Sequence, residues 1–409
     1  MLRFTSIRVL FCLARASSTT WGSVIVKPSL LILSFSDIAN DARVLKQVRE
    51  FSSRYRVTTC GFGQQPHPGV EHLEVDAGAP THTNSLLRQL REVGTIAARV
   101  TGWHHRIYND TGYVLQARRM LRGRRFDLVL ANDVDTIDVG LRSAGPAGVH
   151  ADLHEFFPGL HSDSSRQGRK ATAYMEWLVR SFATRAASVT TVSQGIVEAY
   201  REYGISAQVV TNASPRADYT PGIVSSPIRL VHSGNAQPSR QLEIIMRAVS
   251  ESSANVTLDL LLMPNDVLYL EQLSALSMQL DSRVRILEPV PQSELIGVLN
   301  SYDVGVHVLP PTSFNNANAL PNKFFDYVQA RLGLIIGPSV EMVRLLEEYG
   351  VGAVTRDFTV AAVRDVLDTL TPQLVTQWKQ QSQVASEPLG ADAQIATWVA
   401  AIENLEAKI

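Results

Sequence analysis

Two cysteines in 409 residues, Cys12 and Cys60, supply neither a metal-binding spacing nor a disulfide framework, and a reducing cytosol is the expected compartment. Lysine plus arginine number 38 against 39 aspartate plus glutamate, so a net charge of -1 excludes a general nucleic-acid binder. No apolar run approaches the ~20 residues of a membrane-spanning helix. A Gly-x-Gly-x-x-Gly turn is also missing. The first strand runs into Phe35-Ser36-Asp37-Ile38-Ala39-Asn40, which disfavours a nicotinamide oxidoreductase. Acidic residues are absent before Asp37, while Arg3, Arg8, Arg15 and Lys27 are present. The apolar core of this leader, residues 9–14, is shorter than the ~7–15 residues of a secretory h-region and is closed by Arg15. Residues 1–28 are therefore expected to be a poorly ordered extension, with an organellar transit peptide as the alternative.

What remains is 45% hydrophobic and 19% charged, enough for two globular domains. From Leu30 onward, apolar runs alternate with helical periodicity. Strands are expected at 30–35, 56–62, 126–131, 149–154, 188–192 and 208–211. The first helix, 41–54, puts Val44, Val48 and Phe51 on one face. After a Ser-, Pro- and Gly-rich break at 212–227 the alternation restarts. Strands are expected at 228–232, 256–263, 283–287, 303–309 and 333–337, with helices at 240–251, 266–279, 292–300, 321–331 and 340–349. This pattern implies an α/β protein with two Rossmann-like, doubly wound domains. We expect a first domain at 29–220, a second at 221–390, and a C-terminal helix at 391–409 that packs back on the first domain. In such sheets ligands sit at the carboxyl ends of the strands.

Residues 315–331, Asn-Asn-Ala-Asn-Ala-Leu-Pro-Asn-Lys-Phe-Phe-Asp-Tyr-Val-Gln-Ala-Arg, are the most informative stretch. Pro321 suits the first turn of a helix whose free amides and positive dipole end would face an anion. Lys323 and Asp326 lie three apart on one face. They form either an ordinary surface ion pair or a cation for a diphosphate beside a carboxylate for a ribose diol. The first strand of the second half ends in His232-Ser233-Gly234-Asn235, with Arg240 at the next helix start. That is either a plain left-handed turn or a close backbone approach to a phosphate, with a guanidinium to fork it. In the first half, Asp152-Leu153-His154-Glu155 closes a strand.

The 315–331 run resembles the donor-site helix of retaining GT-B glycosyltransferases, the large family with sucrose synthases and bacterial phosphatidylinositol mannosyltransferases. The resemblance extends over nearly the whole chain from Leu30. It implies a GT-B architecture facing a central cleft and transfer of a sugar from a nucleotide-diphosphate-sugar donor with retention. It implies no cofactor and no metal. In that family two glutamates eight positions apart bracket this loop and helix. Here the second becomes Asp326, expected on the ribose hydroxyls, and the first falls on Asn318, which is not an acid. By the same resemblance His154, within an Asp-x-His-Glu pattern, would bond the donor sugar, with Glu155 orienting it. Gly234, Asn235, Arg240 and Lys323 would hold the diphosphate, His154, Arg240 and Lys323 forming the catalytic set. The loop with Asn40, Asp41 and Arg43, together with Asp133, would border the acceptor, a glycan or lipid-linked sugar in polysaccharide or glycoconjugate biosynthesis. Asp41 also fits a helix cap, and His307 reads as structural.

Residues 86–125 carry nine arginines against Glu92 and Asp110, interleaved with leucines and Trp103. They fit a packed helix with a solvated basic face, or docking on an anionic membrane surface that would make the protein peripheral on the inner face. A nucleotide-sugar 2-epimerase and a non-catalytic nucleotide-sugar-binding subunit are the rival functions on the same scaffold.

Overall fold

The computed structural model describes residues 27–78, 103–160 and 165–409. The N-terminal extension up to residue 26, and residues 86–102 of the basic stretch, lie outside the described residues.

The first sheet comprises β1 (Ser29–Asp37), β2 (Arg56–Phe62), β3 (Glu71–Glu74), β4 (Leu128–Asn132), β5 (Val149–Leu153), β6 (Ser188–Thr191) and β7 (Ala207–Val209). All pairings are parallel, in the order β3-β2-β1-β4-β5-β6-β7. The second comprises β8 (Ile228–Asn235), β9 (Val256–Met263), β10 (Val284–Leu287), β11 (Val304–His307), β12 (Gly333–Ile336) and β13 (Gly352–Val354), again parallel, in the order β10-β9-β8-β11-β12-β13. Both orders reverse beside the first strand, so each sheet has a crevice at the carboxyl ends of its central strands.

β1 forms because its residues are apolar on both faces. Leu30 to Leu33 are wholly buried, covered by helices on either side, which a continuous apolar run requires. The helix Ala42–Ser52 starts where Asp41 accepts from the amides of Arg43 and Val44, and it turns Val44, Val48 and Phe51 into the core. Onto the same core the C-terminal helix Ala391–Glu406 lays Trp398, Ile402 and Leu405. Arg54 pairs with Glu403 at 2.8 Å, and Tyr55 donates to Glu406 at 2.8 Å.

Three local details differ from expectation and bear on the site. β8 runs on to Asn235, in register with Met263 of β9, so Gly234 and Asn235 belong to the strand end. Arg240 does not open a helix. It ends a 3-10 turn, Pro238–Arg240, followed by Gln241 in the left-handed region, and the helix begins at Glu243. Pro321 is extended and precedes the helix Asn322–Gln329.

Candidate functional site

At the carboxyl edge of the second sheet lies a cavity of about 550 Å³, within the range of about 300–1,000 Å³ usual for small-molecule sites. Ser233, Gly234 and Asn235 line one side, and Lys323 and Asp326 another. Lys323 lies directly over Gly234, whose φ is +146°. A side chain at 234 would occupy the space of the lysine's Cε and Nζ, so glycine is what permits the approach. Burial, then the nearby Arg240 guanidinium, pull the Lys323 ammonium down to about 8, against an opposing pull from Asp326. An amine held this way lacks a full counter-charge, and an anion in the cavity would supply it. Asp326 is itself buried and its carboxyl is raised by that burial, opposed by a hydrogen bond from Ser214 and by Lys323. Beneath them the His232 and His307 rings stack at 5.9 Å. His232 bonds the Val306 carbonyl through Nδ1, and neither ring nitrogen of His307 has a hydrogen-bond partner among the described residues.

Arg240 lines an adjoining pocket of about 180 Å³ with His154, Glu155 and Asn315. The third pocket, about 360 Å³, belongs mainly to the first domain and is walled by Asp41, Lys46, Asp133, His154 and Glu155. Asn322 lines both this pocket and the large cavity, so the two meet at the start of the 322–329 helix. Thus the cleft brings together Gly234, Asn235, Lys323 and Asp326 on one wall, with Arg240 and His154 between the domains and Asp133 on the far wall.

His154 closes β5 within a dense polar cluster. Its Nε2 lies 3.1 Å from Asn132 Oδ1 and 3.4 Å from Asp152, and its Nδ1 lies 3.6 Å from Asp133. Although burial opposes charge, Asp133 and Asp152 hold the imidazole above the usual histidine range. Asp133 sits at φ +66°, an uncommon conformation for a residue with a side chain, and accepts the His154 amide at 3.1 Å. Burial raises the Asp133 and Glu155 carboxyls, and burial with repulsion from Asp133 pushes Asp135 up to about 7.

Three of the expected residues hold partners that the sequence did not indicate. Arg43 lines the first-domain pocket, and its guanidinium forks onto buried Asp152 at 2.7 and 2.8 Å, donates to the Val210 carbonyl, and stacks 4.7 Å from the Trp398 ring. Asn40 is exposed at the rim and donates to Asp37 at 2.8 Å, lining none of the three pockets. Asn318 also lines none of them. Residues Phe314–Ala317 form a short helix, after which the Asn318 side chain lies against Gly195 of the first domain.

Sequence reasoning missed Lys46, whose ammonium donates to the Ala213 carbonyl. Burial and Arg43 lower it to about 8, with Asp326 and Asp41 opposing. It also missed the wall of Pro289, Val290, Pro291 and Leu295 after β10, which the carboxyl-edge rule alone would have found. Missed too were the contacts that clasp the domains: Asn315 exchanges bonds with both backbone groups of Phe156, at 2.9 and 3.2 Å, and Glu341 accepts the Gly195 amide at 2.6 Å.

In the 103–125 segment, Arg118 pairs with Asp138 at 2.6 Å and Arg124 with Glu71 at 2.6 Å, so both are committed within the domain, while Trp103 is 62% exposed. The arginines at 118–125 precede β4, whereas its far end, Asn132, reaches the cleft. They therefore sit at the pole opposite the cleft. Among the described residues no helix is long and apolar enough to cross a membrane.

Comparison with known proteins extends this geometry. Residues 41–213 match the family described as Glycosyl transferase 4-like domain. No curated protein sequence matches the chain. Among solved structures, sucrose-phosphate synthase from Thermosynechococcus elongatus superposes with a TM-score of 0.68 at 11% identity, covering 94% of this chain and all of its own. HepE from Anabaena, solved with UDP-glucose, gives 0.65 at 13% identity over 92% of this chain and 100% of its own. The α,α-trehalose 6-phosphate synthase from Burkholderia multivorans gives 0.64 at 11% over 94% and 99%. The two sheets and their cleft are the GT-B fold.

Proposed function

We propose that the protein is a glycosyltransferase that moves a sugar from a nucleotide-diphosphate-sugar donor to a glycan or lipid-linked acceptor, with retention and without a metal. The observation that carries this reading is the convergence of Lys323 over Gly234 with Asp326 on one wall of a nucleotide-sized cavity, joined through Asn322 to a second polar pocket across the cleft.

In this reading the diphosphate lies against the β8 end and Lys323, with Arg240 reaching it from the adjoining pocket. Charge developing on the leaving diphosphate is met by these cations and by amides at the start of the 322–329 helix, a preorganised arrangement that needs no reorganisation during reaction. Asp326 Oδ1 is occupied by Ser214, and its other oxygen accepts from the ribose. His154, protonated toward higher pH by Asp133 and Asp152, donates to the donor sugar. The second pocket, with Lys46, Asp133 and Glu155, takes the acceptor. Retention is supported by the resemblance of 315–331 to the donor helix of retaining enzymes. The buried free thiol of Cys60 suits the cytoplasm.

The test is a thermal-shift screen of UDP-, GDP- and ADP-sugars, with UDP-glucose first because HepE was solved with it. A ligand at ~100 times its Kd should add ~2.7 kcal/mol of stability. Acceptor-dependent release of nucleoside diphosphate should then persist in excess EDTA. Loss of transfer on chelation, restored by Mg²⁺, would remove the metal-free mechanism. Conversion of the donor sugar without acceptor would favour an epimerase.

A further inference from the structure

A depression of about 580 Å³ at the pole of the first domain opposite the cleft is lined by four arginines: Arg118, Arg122, Arg125 and Arg142. They come from three elements: Arg118 from the helix Gly112–Met120, Arg122 and Arg125 from the loop that leads into β4, and Arg142 from the helix Ile137–Ser143. Charge compensation is sparse. Arg118 and Arg142 share the single carboxylate of Asp138, at 2.6 and 2.8 Å. Arg125 donates to the backbone carbonyls of Arg142 and Ala144. Arg122 is exposed, and its side chain makes no hydrogen bond or ion pair among the described residues. Four guanidiniums against one carboxylate leave three positive charges around one depression, in a chain whose net charge is -1. The frame is rigid, because Arg118 is fixed by Asn109 and Asp138 and lies 5.2 Å over the Tyr108 ring. Packing does not explain the concentration: Arg119 and Arg124 on the same segment turn elsewhere, to a helix carbonyl and to Glu71.

We propose that this depression binds a phosphate oxyanion, presented by a soluble pyrophosphate-type metabolite or by a phospholipid headgroup, and that it is separate from the donor site. Guanidinium forks match phosphate oxygens in pairs, and Arg122, Arg125 and Arg142 each retain N–H groups not used within the domain. The site lies beyond the amino end of β4, so its occupant does not compete with donor or acceptor in the cleft.

The proposal is independent of the proposed transferase activity and is tested with the cleft disabled. In the variant carrying Lys323→Ala and Arg240→Ala, calorimetry with inorganic pyrophosphate should show one saturable site. Adding Arg122→Glu, a change at an exposed side chain that leaves the fold intact by circular dichroism, should weaken it by roughly tenfold or more, since one attraction becomes a repulsion. Sedimentation with phosphatidylcholine vesicles containing phosphatidic acid, at low and high salt, distinguishes the two sources. Salt-sensitive retention that Arg122→Glu removes assigns the headgroup, and pyrophosphate binding without retention assigns a soluble ligand. No saturable binding in either arm, or binding that Arg122→Glu leaves unchanged, overturns the proposal.

Discussion

Replacing Lys323 by methionine separates what the residue costs the empty fold from what it contributes to a bound anion. The ammonium stands at about 8 against an ordinary 10.5, a fall of about 2.5. At 1.36 kcal/mol per pH unit, charging it in the folded protein costs up to about 3 kcal/mol. The sign follows from the lowered value: the penalty is full below about pH 8 and disappears as pH rises toward 10.5, so the wild type gains stability over that window. Methionine keeps the stem that lies over Gly234 and removes the charge. The ligand-free variant should therefore be as stable as wild type at pH 7, or more so, and should lack the gain between pH 8 and 10.5. Binding moves the other way. A hydrogen bond to a charged group contributes ~1.5–3 kcal/mol, so nucleoside diphosphate affinity should fall roughly 10- to 150-fold. Wild-type affinity should decline as pH rises past about 8, where the free amine loses its proton. Denaturant titration at pH 7 and 9, with calorimetry on UDP or the nucleotide the screen returns, reads both effects. A less stable variant with unchanged affinity and an unchanged pH profile would refute the reasoning.

Asp326→Asn should weaken nucleoside diphosphate binding by ~1.5–3 kcal/mol, because one charged acceptor for the ribose diol is lost; calorimetry showing no change places Asp326 outside the site. Arg43→Met leaves Asp152 buried without its guanidinium and should cost ~3–5 kcal/mol in denaturant unfolding, whereas a loss below ~1 kcal/mol would show that Asp152 does not depend on that pairing. His154 has a raised pKa, so its contribution to stability is complete below about 6.5 and fades as pH rises through the raised value. His154→Gln should flatten that part of the pH–stability curve and lower turnover, and an unaltered curve would detach His154 from the Asp133 and Asp152 cluster.

The central strands were legible because a parallel strand covered on both faces is mostly apolar, as Leu30 to Leu33 are throughout and Val256 to Leu262 are apart from Thr257 and Asp259. Edge strands lack that constraint. Glu-His-Leu-Glu at β3 and Gly-Ala-Val at β13 carry too few buried residues to stand out, and both were missed. The closing helices Val360–Leu367 and Pro372–Ala385 also went unassigned. At the site, residues whose neighbours are close in sequence were legible, such as Lys323 with Asp326 and Gly234 with Asn235. Those whose partners are distant were not. Lys46 meets Ala213, and Arg43 meets Asp152 and Trp398, contacts that only the folded chain creates. Asn318 was placed by counting eight positions back from Asp326, and such a count cannot show that a helical turn at 314–317 sets its side chain against Gly195.

The segment joining the two sheets is gripped from both sides at adjacent residues. Lys46 of the first domain holds the Ala213 carbonyl, and Asp326 of the second takes the Ser214 hydroxyl. The Asp326 carboxylate thus serves two structures at once, the wall of the large cavity and the tie between the linker and the second domain, so a group that engages its second oxygen bears on a residue that also anchors the linker.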